Sequence, residues 1–528
     1  MSNHAYESAA ALRPSSNGPI PISTLCERFS LAPASAEDAA ALNDLSILGV
    51  SVDSADTAPG ELFVGLPGFT VHGARFAAQA VASGAVAVLT DADGAQIVHQ
   101  TAPGTPVLVH SDPRAVVGPL SAEVYHHPAR GLVTTAVTGT NGKTTTAYFL
   151  DAILSAHVGA CMVAGTVELR VGERSVESPR TTVEAPVLQR MMALAVEDKV
   201  GAASLEASSH AIVLHRLDGI VVDVAGFTNL QRDHLDFHKT MEGYLEAKAQ
   251  LFTPEHARRG VVCVDDQWGA TLAAEAPIEI DRVRAYPGET PADWWVSDAA
   301  VSLTDSATTF TLHGPDGEKI EASCPLPGLV NVQNAALALV MAIRAGVPAA
   351  TATAALAGAH NIPGRMQRIS QRDGRRGLCI VDFAHTPEAM ELALKAVRPI
   401  TPGRLIVVFG SDGDRDQGKR PMLGEVCARL ADVLVVTDEN PRSEDPQLIR
   451  NAILEGVRGV RPDLTDVEEI TTWRGDAVRR GVELCGPDDT VIVTGKGHEP
   501  FLEMAGEFIR YNDAPVMAEA VEEKWGRA

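Results

Sequence analysis

A chain of 528 residues is too long for one ordinary domain, and 45% apolar with only 5% aromatic residues is typical of a soluble α/β protein with an ample core. The 68 acidic and 44 basic side chains give a formal charge of −24, which excludes a general basic surface for nucleic acid or anionic lipid. An anionic substrate must therefore be held by local hydrogen-bond donors and cations.

The first part of the chain predicts a small α/β domain. Beyond about twenty residues that we expect to be flexible, short apolar runs such as ELFVGLP and AVAVLT alternate with Ala-rich helical stretches. The run YHHPARG, residues 125–131, is typical of a linker. We therefore predict a first domain over residues 1–130.

The middle part predicts a parallel sheet wrapped by helices. LVTTAVTG is a strand that leads into a glycine-bearing loop, and the strand-like runs AASLEASS, VVDVAGFTNL and GVVCVDD follow, with helices between them. Pro-Gly punctuation in NIPGRMQR, residues 361–368, indicates a second boundary. The predicted central domain covers residues 131–366.

The last part repeats a strand followed by a polar loop. RLIVVFG, DVLVVTD and DTVIVTG each give way to a loop that contains Gly or Pro, namely SDGDRDQGKRP, ENPRSEDP and KGHEP. The segment MLGEVCARLADV has helical spacing, so we predict a Rossmann-like parallel sheet over residues 367–528. Ligands bind beyond the carboxyl ends of such strands, and we expect the three loops to converge there.

The run TGTNGKTTT has the features of a phosphate-binding loop between a strand and a helix. Gly139 and Gly142 let backbone N–H groups approach phosphate oxygens, Lys143 can neutralise them, and the Thr144 hydroxyl can hold Mg²⁺. Val137 stands where the usual eight-residue pattern has its first glycine, which indicates a variant cradle formed by TGTNG alone. The alternative is the ordinary start of an Ala/Thr-rich helix.

Two further stretches contain side chains suited to a metal ion. Glu206 ends a predicted strand in LEASSHAIVLHR, and FTNLQRDHLDFH places His234, Asp236 and His238 close together. Mg²⁺ prefers oxygen ligands, so these residues alone fit a hydrogen-bonded loop as well as they fit a metal site. Lys248, in YLEAKAQLF, is by its spacing a lysine on a helix surface.

Taken together, TGTNGKTTT, EASSH and FTNLQRDHLDFH resemble the Mur ligases and their relatives, the folylpolyglutamate synthetases, and the resemblance spans nearly the whole chain. Members of that superfamily use ATP to convert a carboxylate into an acyl phosphate, which an amine attacks to form an amide. The resemblance implies ATP and Mg²⁺ as cofactors. It also implies three α/β domains: a small UDP-binding domain, a central P-loop-type ATPase domain and a C-terminal Rossmann-like domain.

The resemblance assigns roles to residues of the middle and last parts. The implied catalytic residues are Lys143, Glu206, His234 and Lys248, the last of them carbamylated, fourteen residues after His234. The implied metal ligands are Thr144, Glu206, His234 and Lys248. The implied ATP-binding residues are Gly139, Thr140, Asn141, Gly142, Lys143, Thr144, Thr145, Asn331, Arg365 and Asp382.

The first domain resembles the uridine-nucleotide domain of those members that add the third residue of the peptidoglycan stem. The run GVSVDSADTAPGELFVGLPGFTVHGARF carries this similarity. The chain departs from the family pattern at Ala55, where arginine is common, and at Leu214, where some members have a polar residue. The residues implied to contact UDP-MurNAc-L-Ala-D-Glu are Ser54, Thr181, Thr182, Ser208 and Arg216.

The three C-terminal loops decide the amine substrate. ENPR resembles the DNPR of the members that add meso-diaminopimelate, and GSDGDRDQGKRP and GKGHE resemble their other two loops, with departures at Ser411, Asp412 and Glu439. The implied diaminopimelate-binding residues are Arg415, Glu439, Asn440, Pro441, Arg442, Gly495 and Glu499.

The chemistry of these side chains suits the far end of diaminopimelate, which is itself an amino acid. Arg442 can bind its carboxylate through two parallel hydrogen bonds, and Glu499 can accept from its ammonium. L-Lysine and L-ornithine have no distal carboxylate, and we expect either to leave a buried Arg442 unpaired, at a cost that discriminates against it.

We therefore expect a ligase that adds meso-diaminopimelate to the D-Glu γ-carboxylate of UDP-MurNAc-L-Ala-D-Glu. The nearest alternative is a ligase that adds L-lysine or L-ornithine. A folylpolyglutamate synthetase is further off, because it would not need the first domain or the ENPR loop. The remote alternative is a nucleotide-switched protein that binds UDP-sugars without forming a bond.

Cysteine usage and hydropathy predict the compartment. The seven cysteines are dispersed without a Cys-x-x-Cys pair, no apolar run reaches about eighteen residues, and the N-terminus lacks a basic-then-apolar pattern. We expect a cytoplasmic monomer that acts on small molecules, without membrane insertion and without nucleic acid.

Overall fold

The computed structural model describes residues 11–68, 70–302, 307–359 and 362–526. These form two compact units: the first takes the chain up to Trp294 together with Leu337–Ala355, and the second takes Trp295–Ala336 together with the chain from Leu356. Residues 1–10 of the segment expected to be flexible, and residue 361 at the second predicted boundary, lie outside the described residues. The domain bounds 1–130, 131–366 and 367–528 stay a prediction.

The first unit begins with a five-stranded sheet of order β2-β7-β6-β5-β4, in which β4 to β7 are parallel and β2 is an antiparallel edge. Leu12 is fully buried, and Arg13 pairs with Glu61 of β5 and with Asp56. The elements are β1 (Ile20–Pro21), α1 (Ile22–Phe29), β2 (Ala32–Pro33), α2 (Ala36–Leu42), β3 (Ser46–Ile47), β4 (Gly49–Ser51), β5 (Glu61–Val64), α3 (Ala77–Ala82), β6 (Ala87–Thr90), α4 (Ala92–Thr101), β7 (Val107–Val109) and α5 (Pro113–Val124).

A second sheet of the first unit has the strand order β11-β10-β9-β12-β8-β13-β14-β15, parallel except at β10 and β11. The register places Val137 of β8 opposite Glu206 of β12. The elements are β8 (Val133–Thr138), α6 (Lys143–Val158), β9 (Cys161–Ala164), β10 (Glu168–Val171), β11 (Arg174–Glu177), α7 (Ala185–Glu197), β12 (Ala202–Glu206), α8 (Ser209–Val213), β13 (Val224–Phe227), α9 (Leu235–His238), α10 (Met241–Ala249), β14 (Arg259–Cys263), α11 (Gln267–Glu275) and β15 (Glu279–Arg284).

The second unit contains an antiparallel meander and a six-stranded sheet of order β19-β20-β24-β21-β22-β23, parallel except at β19. Helices α12 and α13 carry residues of both units. The elements are β16 (Trp294–Val301), β17 (Thr308–His313), β18 (Lys319–Cys324), α12 (Leu329–Arg344), α13 (Ala349–Ala357), β19 (Gln367–Ser370), β20 (Leu378–Val381), α14 (Pro387–Val397), β21 (Leu405–Phe409), α15 (Lys419–Leu430), β22 (Val433–Val436), α16 (Pro446–Val460), β23 (Val467–Glu469), α17 (Arg474–Leu484), β24 (Thr490–Val493), β25 (Phe501–Met504), β26 (Glu507–Arg510) and α18 (Asp513–Trp525).

The strands β8, β12, β13, β21, β22 and β24 are buried on both faces, as parallel strands covered by helices must be, and β13, β21 and β22 contain no polar side chain. Helices begin where a side chain caps the first turn. At the start of α16, the Asp445 side chain accepts a hydrogen bond from Gln447 N. The predicted α/β class is confirmed. Among the helices in the described ranges, none is both long and apolar enough to cross a bilayer.

Candidate functional site

The phosphate loop lies between β8 and α6. Gly139 and Gly142 have φ values of +145° and +89°, and a Cβ on Gly139 would overlap the Thr228 hydroxyl. Val137 is not part of the turn, because it lies inside β8 and pairs in register with Glu206. A glycine at position 137 is therefore unnecessary, and residues 139–142 alone form the turn, as the sequence predicted.

Residues of the FTNLQ segment hold this loop in shape. Thr140 N donates to Asn229 O (2.9 Å), and Asn141 N donates to Asn229 Oδ1 (3.1 Å). The Asn141 side chain donates to Gln231 Oε1 (2.7 Å), and the Thr228 hydroxyl donates to Asn141 O (2.6 Å). The loop is therefore preorganised by its neighbouring strand end, which suits a backbone cradle for phosphate.

Two lysine amines converge on one carbonyl oxygen of the loop. Lys143 Nζ donates to Gly139 O (3.0 Å) and Thr140 O (2.8 Å), and Lys248 Nζ donates to Gly139 O (2.8 Å). Lys248 is fully buried, with its amine over the Tyr244 ring. Burial, followed by the charge of Lys143, holds the pKa of Lys248 well below its usual value. The expected surface position of Lys248 is therefore wrong, and its neutral amine is the form that carbon dioxide can carbamylate.

Glu206 accepts hydrogen bonds from the end of the phosphate loop and from the segment after β9. Thr144 Oγ1 donates to its Oε2 (3.0 Å), as does Thr166 Oγ1 (2.9 Å), while Thr166 N donates to its Oε1 (2.8 Å). Thr166 Oγ1 also lies 3.1 Å from Thr181 Oγ1. A short hydrogen-bond chain thus joins the phosphate loop to a residue predicted to hold the muramoyl dipeptide.

The same strand end gathers the other predicted dipeptide residues. Thr182 Oγ1 donates to Glu206 O (2.6 Å) and accepts from Ser208 N (3.0 Å). Arg216 donates to Thr182 O (3.1 Å) and forms an ion pair with Glu184 (2.9 Å). Desolvation lowers the pKa of Arg216. Four of the five residues predicted for this substrate, namely Thr181, Thr182, Ser208 and Arg216, therefore lie together.

Ser54 lies in the turn after β4, in the same unit. It is buried, and its hydroxyl donates to Gln79 Oε1 at 3.1 Å. The nearby Asp56 carboxylate pairs with the buried guanidinium of Arg190 on α7, which fastens the segment after β4 to the second sheet. The contact of Ser54 with UDP stays a prediction.

The donor set around Glu206 fits Mg²⁺. The Thr144 hydroxyl and the Glu206 carboxylate are oxygen ligands 3.0 Å apart at the end of a phosphate loop, which is the chemistry this ion prefers. His234 is half exposed with φ +52°, and its ring lies edge-on to His210 (4.9 Å between centroids). Within the described residues no group of three or more His, Cys, Asp or Glu could hold a metal ion, so ligation by His234 and Lys248 stays a prediction.

The other residues predicted to bind nucleotide lie in the second unit. The buried Asn331 donates to Pro327 O (2.8 Å), and Arg365 stacks over Phe383 at 4.3 Å. Asp382 is buried, which raises its pKa, and it accepts from Met366 N (2.7 Å) and Ala384 N (2.9 Å). The contacts of Arg365 and Asp382 lie around β20, whereas that of Asn331 lies at the start of α12.

The three C-terminal loops converge at the carboxyl ends of the adjacent strands β22, β21 and β24. Gly413 N donates to Asn440 O (2.8 Å), which joins the first two loops. Lys496 in the third loop is fully buried and donates to Asn440 Oδ1 (2.8 Å), Glu499 Oε2 (2.9 Å) and Phe501 O (2.6 Å). Asn440 Nδ2 also donates to Glu499 Oε2 at 3.1 Å.

Arg442 is surrounded by partners from its own chain. Its Nε donates to Glu503 Oε2 (3.2 Å) and its Nη1 to Gly413 O (3.2 Å), while Nη2 lies 3.6 Å from Asp412 Oδ2. The expectation that a ligand without a distal carboxylate leaves Arg442 unpaired is therefore wrong. The hairpin of β25 and β26 supplies Glu503, and it also pairs with the backbone of Arg442, whose φ is +55°.

Glu439, Arg415 and Gly495 occupy different environments. Glu439 is buried, and burial together with the neighbouring Asp412 raises its pKa to about 8. Arg415 is exposed. Gly495 has φ +108°, and a Cβ there would lie 2.5 Å from Glu439 Oε2, so only glycine fits beside that carboxyl.

Comparison with known families matches three models to this chain. The Mur ligase middle domain matches residues 137–342, the Mur ligase glutamate ligase domain matches residues 364–497, and the Mur ligase family catalytic domain matches residues 46–125. The chain belongs to the Mur ligase family. Members of this family are ATP-dependent ligases, so the expectation of an enzyme of that class is confirmed.

Relatives of this Mur ligase resemble it over almost its whole length. A UDP-N-acetylmuramoyl-L-alanyl-D-glutamate--2,6-diaminopimelate ligase of Streptomyces coelicolor is 42% identical over 91% of this chain and 93% of its own. A UDP-N-acetylmuramyl-tripeptide synthetase of Leifsonia xyli is also 42% identical, over 95% of this chain and 96% of its own.

Solved structures show the same architecture. One of a UDP-N-acetylmuramoyl-L-alanyl-D-glutamate--2,6-diaminopimelate ligase is 31% identical with a TM-score of 0.63, covering 91% of this chain and 95% of that one. The MurF ligase from Thermotoga maritima, solved in complex with ADP, shares the fold at 18% identity with a TM-score of 0.61, covering 90% of this chain and 97% of that one. The three-domain α/β architecture predicted for this Mur ligase is confirmed.

Sequence reasoning missed several residues at these sites in the Mur ligase. Thr166 follows β9 and binds Glu206, yet no motif contains it. Lys496 is part of GKGHE, where a lysine between two glycines was the available signal. Asp412 was noted only as a departure, and Glu503, in a hairpin that was not predicted, gave no signal at all.

Proposed function

We propose that this Mur ligase adds meso-diaminopimelate to the D-Glu γ-carboxylate of UDP-MurNAc-L-Ala-D-Glu, with ATP as the activating substrate. The observation that carries the proposal is the hydrogen-bond chain from Thr144 through Glu206 and Thr166 to Thr181, because it links a phosphate loop to a predicted acceptor site. The names of relatives 42% identical to the chain support the same reaction.

ATP binds in this proposal with its phosphates on the loop of residues 139–145. Backbone N–H groups and the N-terminus of α6 face the phosphates, and Lys143 exchanges its two carbonyl partners for phosphate oxygens. The family resemblance assigns Asn331, Arg365 and Asp382 to the nucleotide as well.

Thr144 and Glu206 would hold Mg²⁺, together with His234 and the carbamate of Lys248. When bound, the ion supplies positive charge that offsets the charge of the reacting oxygens. The protein's own contribution is to fix Glu206 with donors from Thr166 and to lower the pKa of Lys248 by burial, which favours the neutral amine that carbon dioxide can carbamylate.

The UDP-linked substrate is bound by Ser54 and by the cluster that contains Thr182, Ser208 and Arg216. Arg216 is paired with Glu184 and held by Thr182 O, so its guanidinium is oriented before the substrate arrives. The D-Glu γ-carboxylate of the substrate takes the γ-phosphoryl group of ATP with release of ADP. The neutral amine then attacks the acyl phosphate, which forms the amide and releases phosphate.

The amine substrate is bound by the three loops of the second unit. Arg442 takes the distal carboxylate, and Asn440 and Glu499 are held in position by the buried ammonium of Lys496. Arg415, Glu439, Pro441 and Gly495 complete the proposed site. Because ATP and UDP-linked sugars are cytoplasmic metabolites, we also infer a cytoplasmic enzyme, acting as a monomer on small molecules.

One observation favours a second candidate, a ligase that adds L-lysine or L-ornithine. Arg442 already has Glu503, Gly413 O and Asp412 around it, so an amine without a distal carboxylate leaves it paired. The name of the Leifsonia xyli relative specifies no diamino acid.

Phosphate release tests the proposal. Purified protein is incubated with ATP, Mg²⁺ and UDP-MurNAc-L-Ala-D-Glu, with meso-diaminopimelate, L-lysine or L-ornithine in parallel tubes. We expect stimulation by diaminopimelate alone. Stimulation by lysine or ornithine supports the second candidate, and phosphate release that is indifferent to every amine contradicts a ligase.

A further inference from the structure

Asp412 carries a buried oxygen atom without a hydrogen-bond partner. It follows β21 in the first C-terminal loop, its side chain is 15% exposed, and its Oδ1 has no partner among the described residues. A buried carboxylate oxygen left unpaired costs free energy, and such a group in a native structure calls for an explanation. A bound ligand that donates a hydrogen bond to Oδ1 is one such explanation.

Three neighbouring acids already have a hydrogen-bond donor or are protonated. Glu499 Oε2 accepts from Lys496 and Asn440, and Glu503 Oε2 accepts from Arg442 Nε. Burial raises the pKa of Glu439 to about 8, so this carboxyl is mostly protonated at neutral pH. Among these four side chains, Asp412 is the one with a buried oxygen atom that has no hydrogen-bond partner in the described residues.

The distance between Asp412 and Arg442 matches the distal end of the proposed amine. That end carries an ammonium and a carboxylate on one carbon atom, so it needs an anion and a cation a few ångströms apart. Asp412 Oδ2 lies 3.6 Å from Arg442 Nη2, which is an ion pair without a hydrogen bond. A zwitterion can enter such a loose pair with each of its charges facing an opposite one.

We propose that Asp412 binds the distal ammonium of the incoming diamino acid while Arg442 binds the carboxylate on the same carbon, which makes Asp412 a specificity-determining residue. This assignment rests on the proposed function. It differs from the expectation that Glu499 accepts from the ammonium, because Glu499 Oε2 already accepts from Lys496 and Asn440. The chain has Asp412 where the resembling loop has glycine, so the acceptor is a feature of this enzyme.

The test compares two amines with the Asp412→Asn variant, which keeps the shape and removes the charge. L-2-Aminopimelate has the distal carboxylate of diaminopimelate but lacks the distal ammonium. We expect the wild-type kcat/KM to be about tenfold to a hundredfold higher for diaminopimelate than for aminopimelate, the range for a hydrogen bond to a charged group. Asp412→Asn should remove this difference between the two amines, because it lowers only the kcat/KM for diaminopimelate.

Controls separate this effect from damage to the loop. Asp416→Asn removes the same charge from an exposed position of the same loop and keeps an acceptor for Gly418 N, so the ratio should not change. The KM for ATP should stay within about twofold in both variants. Asp412→Gly, which restores the residue of the resembling pattern, replaces Asp412→Asn if the latter does not fold.

The outcomes distinguish the inference from the proposed function. A wild-type enzyme that uses both amines equally well, or a ratio that survives at Asp412→Asn, overturns the role of Asp412 alone. A wild-type enzyme that accepts L-lysine but not diaminopimelate overturns the proposed function. In that case, the ratio of kcat/KM for L-lysine to kcat/KM for L-norleucine decides the role of Asp412. It is measured in the wild type and in Asp412→Asn, as for the first pair of amines.

Discussion

Replacing Thr166 by valine removes one donor from Glu206 while keeping a β-branched side chain of similar size. The buried Glu206 carboxylate accepts from Thr144 Oγ1, Thr166 Oγ1 and Thr166 N, at 3.0, 2.9 and 2.8 Å. The substitution removes the second of these and leaves the backbone donor. It also ends the contact with Thr181 that joins the phosphate loop to the predicted dipeptide site.

A hydrogen bond to a charged group contributes about 1.5–3 kcal/mol, which corresponds to about tenfold to a hundredfold in rate if the bond holds Glu206 in its reactive position. We expect Thr166→Val to lower kcat/KM for UDP-MurNAc-L-Ala-D-Glu by this factor, measured by phosphate release at saturating ATP and amine. Thr166→Ser keeps the hydroxyl and should stay within about threefold of wild type.

The matched control is Thr135→Val on β8. Thr135 is also buried in the central sheet, but its hydroxyl donates only a long bond of 3.4 Å to Ala203 O. This variant should retain its activity. If Thr166→Val is as active as Thr135→Val, or if Thr166→Ser is as impaired as Thr166→Val, the Thr166 hydroxyl does not position Glu206 for the reaction.

Three further predictions concern buried charges. Lys248→Met should lower phosphate release at least about a hundredfold, and carbon dioxide depletion should slow the wild-type enzyme until bicarbonate is added, because the proposed carbamate on Lys248 forms from carbon dioxide. Glu439 has its pKa raised from 4.5 to about 8, so the stability it contributes is full below pH 4.5 and is lost as pH rises through 8. In urea, the wild type should lose stability relative to Glu439→Gln between about pH 5 and pH 9. Arg474→Met should destabilise the protein by about 3–5 kcal/mol, because it leaves the fully buried Asp513 without its partner.

Each of these predictions has an outcome that contradicts it. Activity that does not depend on bicarbonate would contradict the carbamate on Lys248. A constant stability difference between Glu439→Gln and wild type across the pH range would show that Glu439 is ionised in the fold. If Arg474→Met combined with Asp513→Asn is no more stable in urea than Arg474→Met alone, the cost does not arise from the unpaired carboxylate.

The phosphate loop was predictable because its features are local. A buried strand, two glycines with positive φ and a helix beginning at Lys143 all lie within one short stretch. The structure also explains the missing glycine, since Val137 belongs to β8 and not to the turn. The convergence of the C-terminal loops followed from the rule for parallel strands, which depends only on strand order and direction.

The partners of individual side chains were not predictable, because they come from distant parts of the chain. The burial of Lys248 depends on its packing against Gly139, 109 residues away in sequence. Arg442 meets Glu503 through a hairpin that follows the last predicted motif. Charged side chains that the sequence presents as available to a substrate are therefore already paired within the protein. Only the three-dimensional structure reveals which carboxylate has an oxygen atom without a hydrogen-bond partner.

The most direct test of the proposed reaction is the mass of its product. Protein, ATP, Mg²⁺ and UDP-MurNAc-L-Ala-D-Glu are mixed with equal concentrations of meso-diaminopimelate, L-lysine and L-ornithine, and the nucleotide-linked product is analysed by mass spectrometry. The account predicts one new species, heavier than the substrate by one diaminopimelate residue. A product that carries lysine or ornithine, or no new species while ATP is consumed, contradicts it.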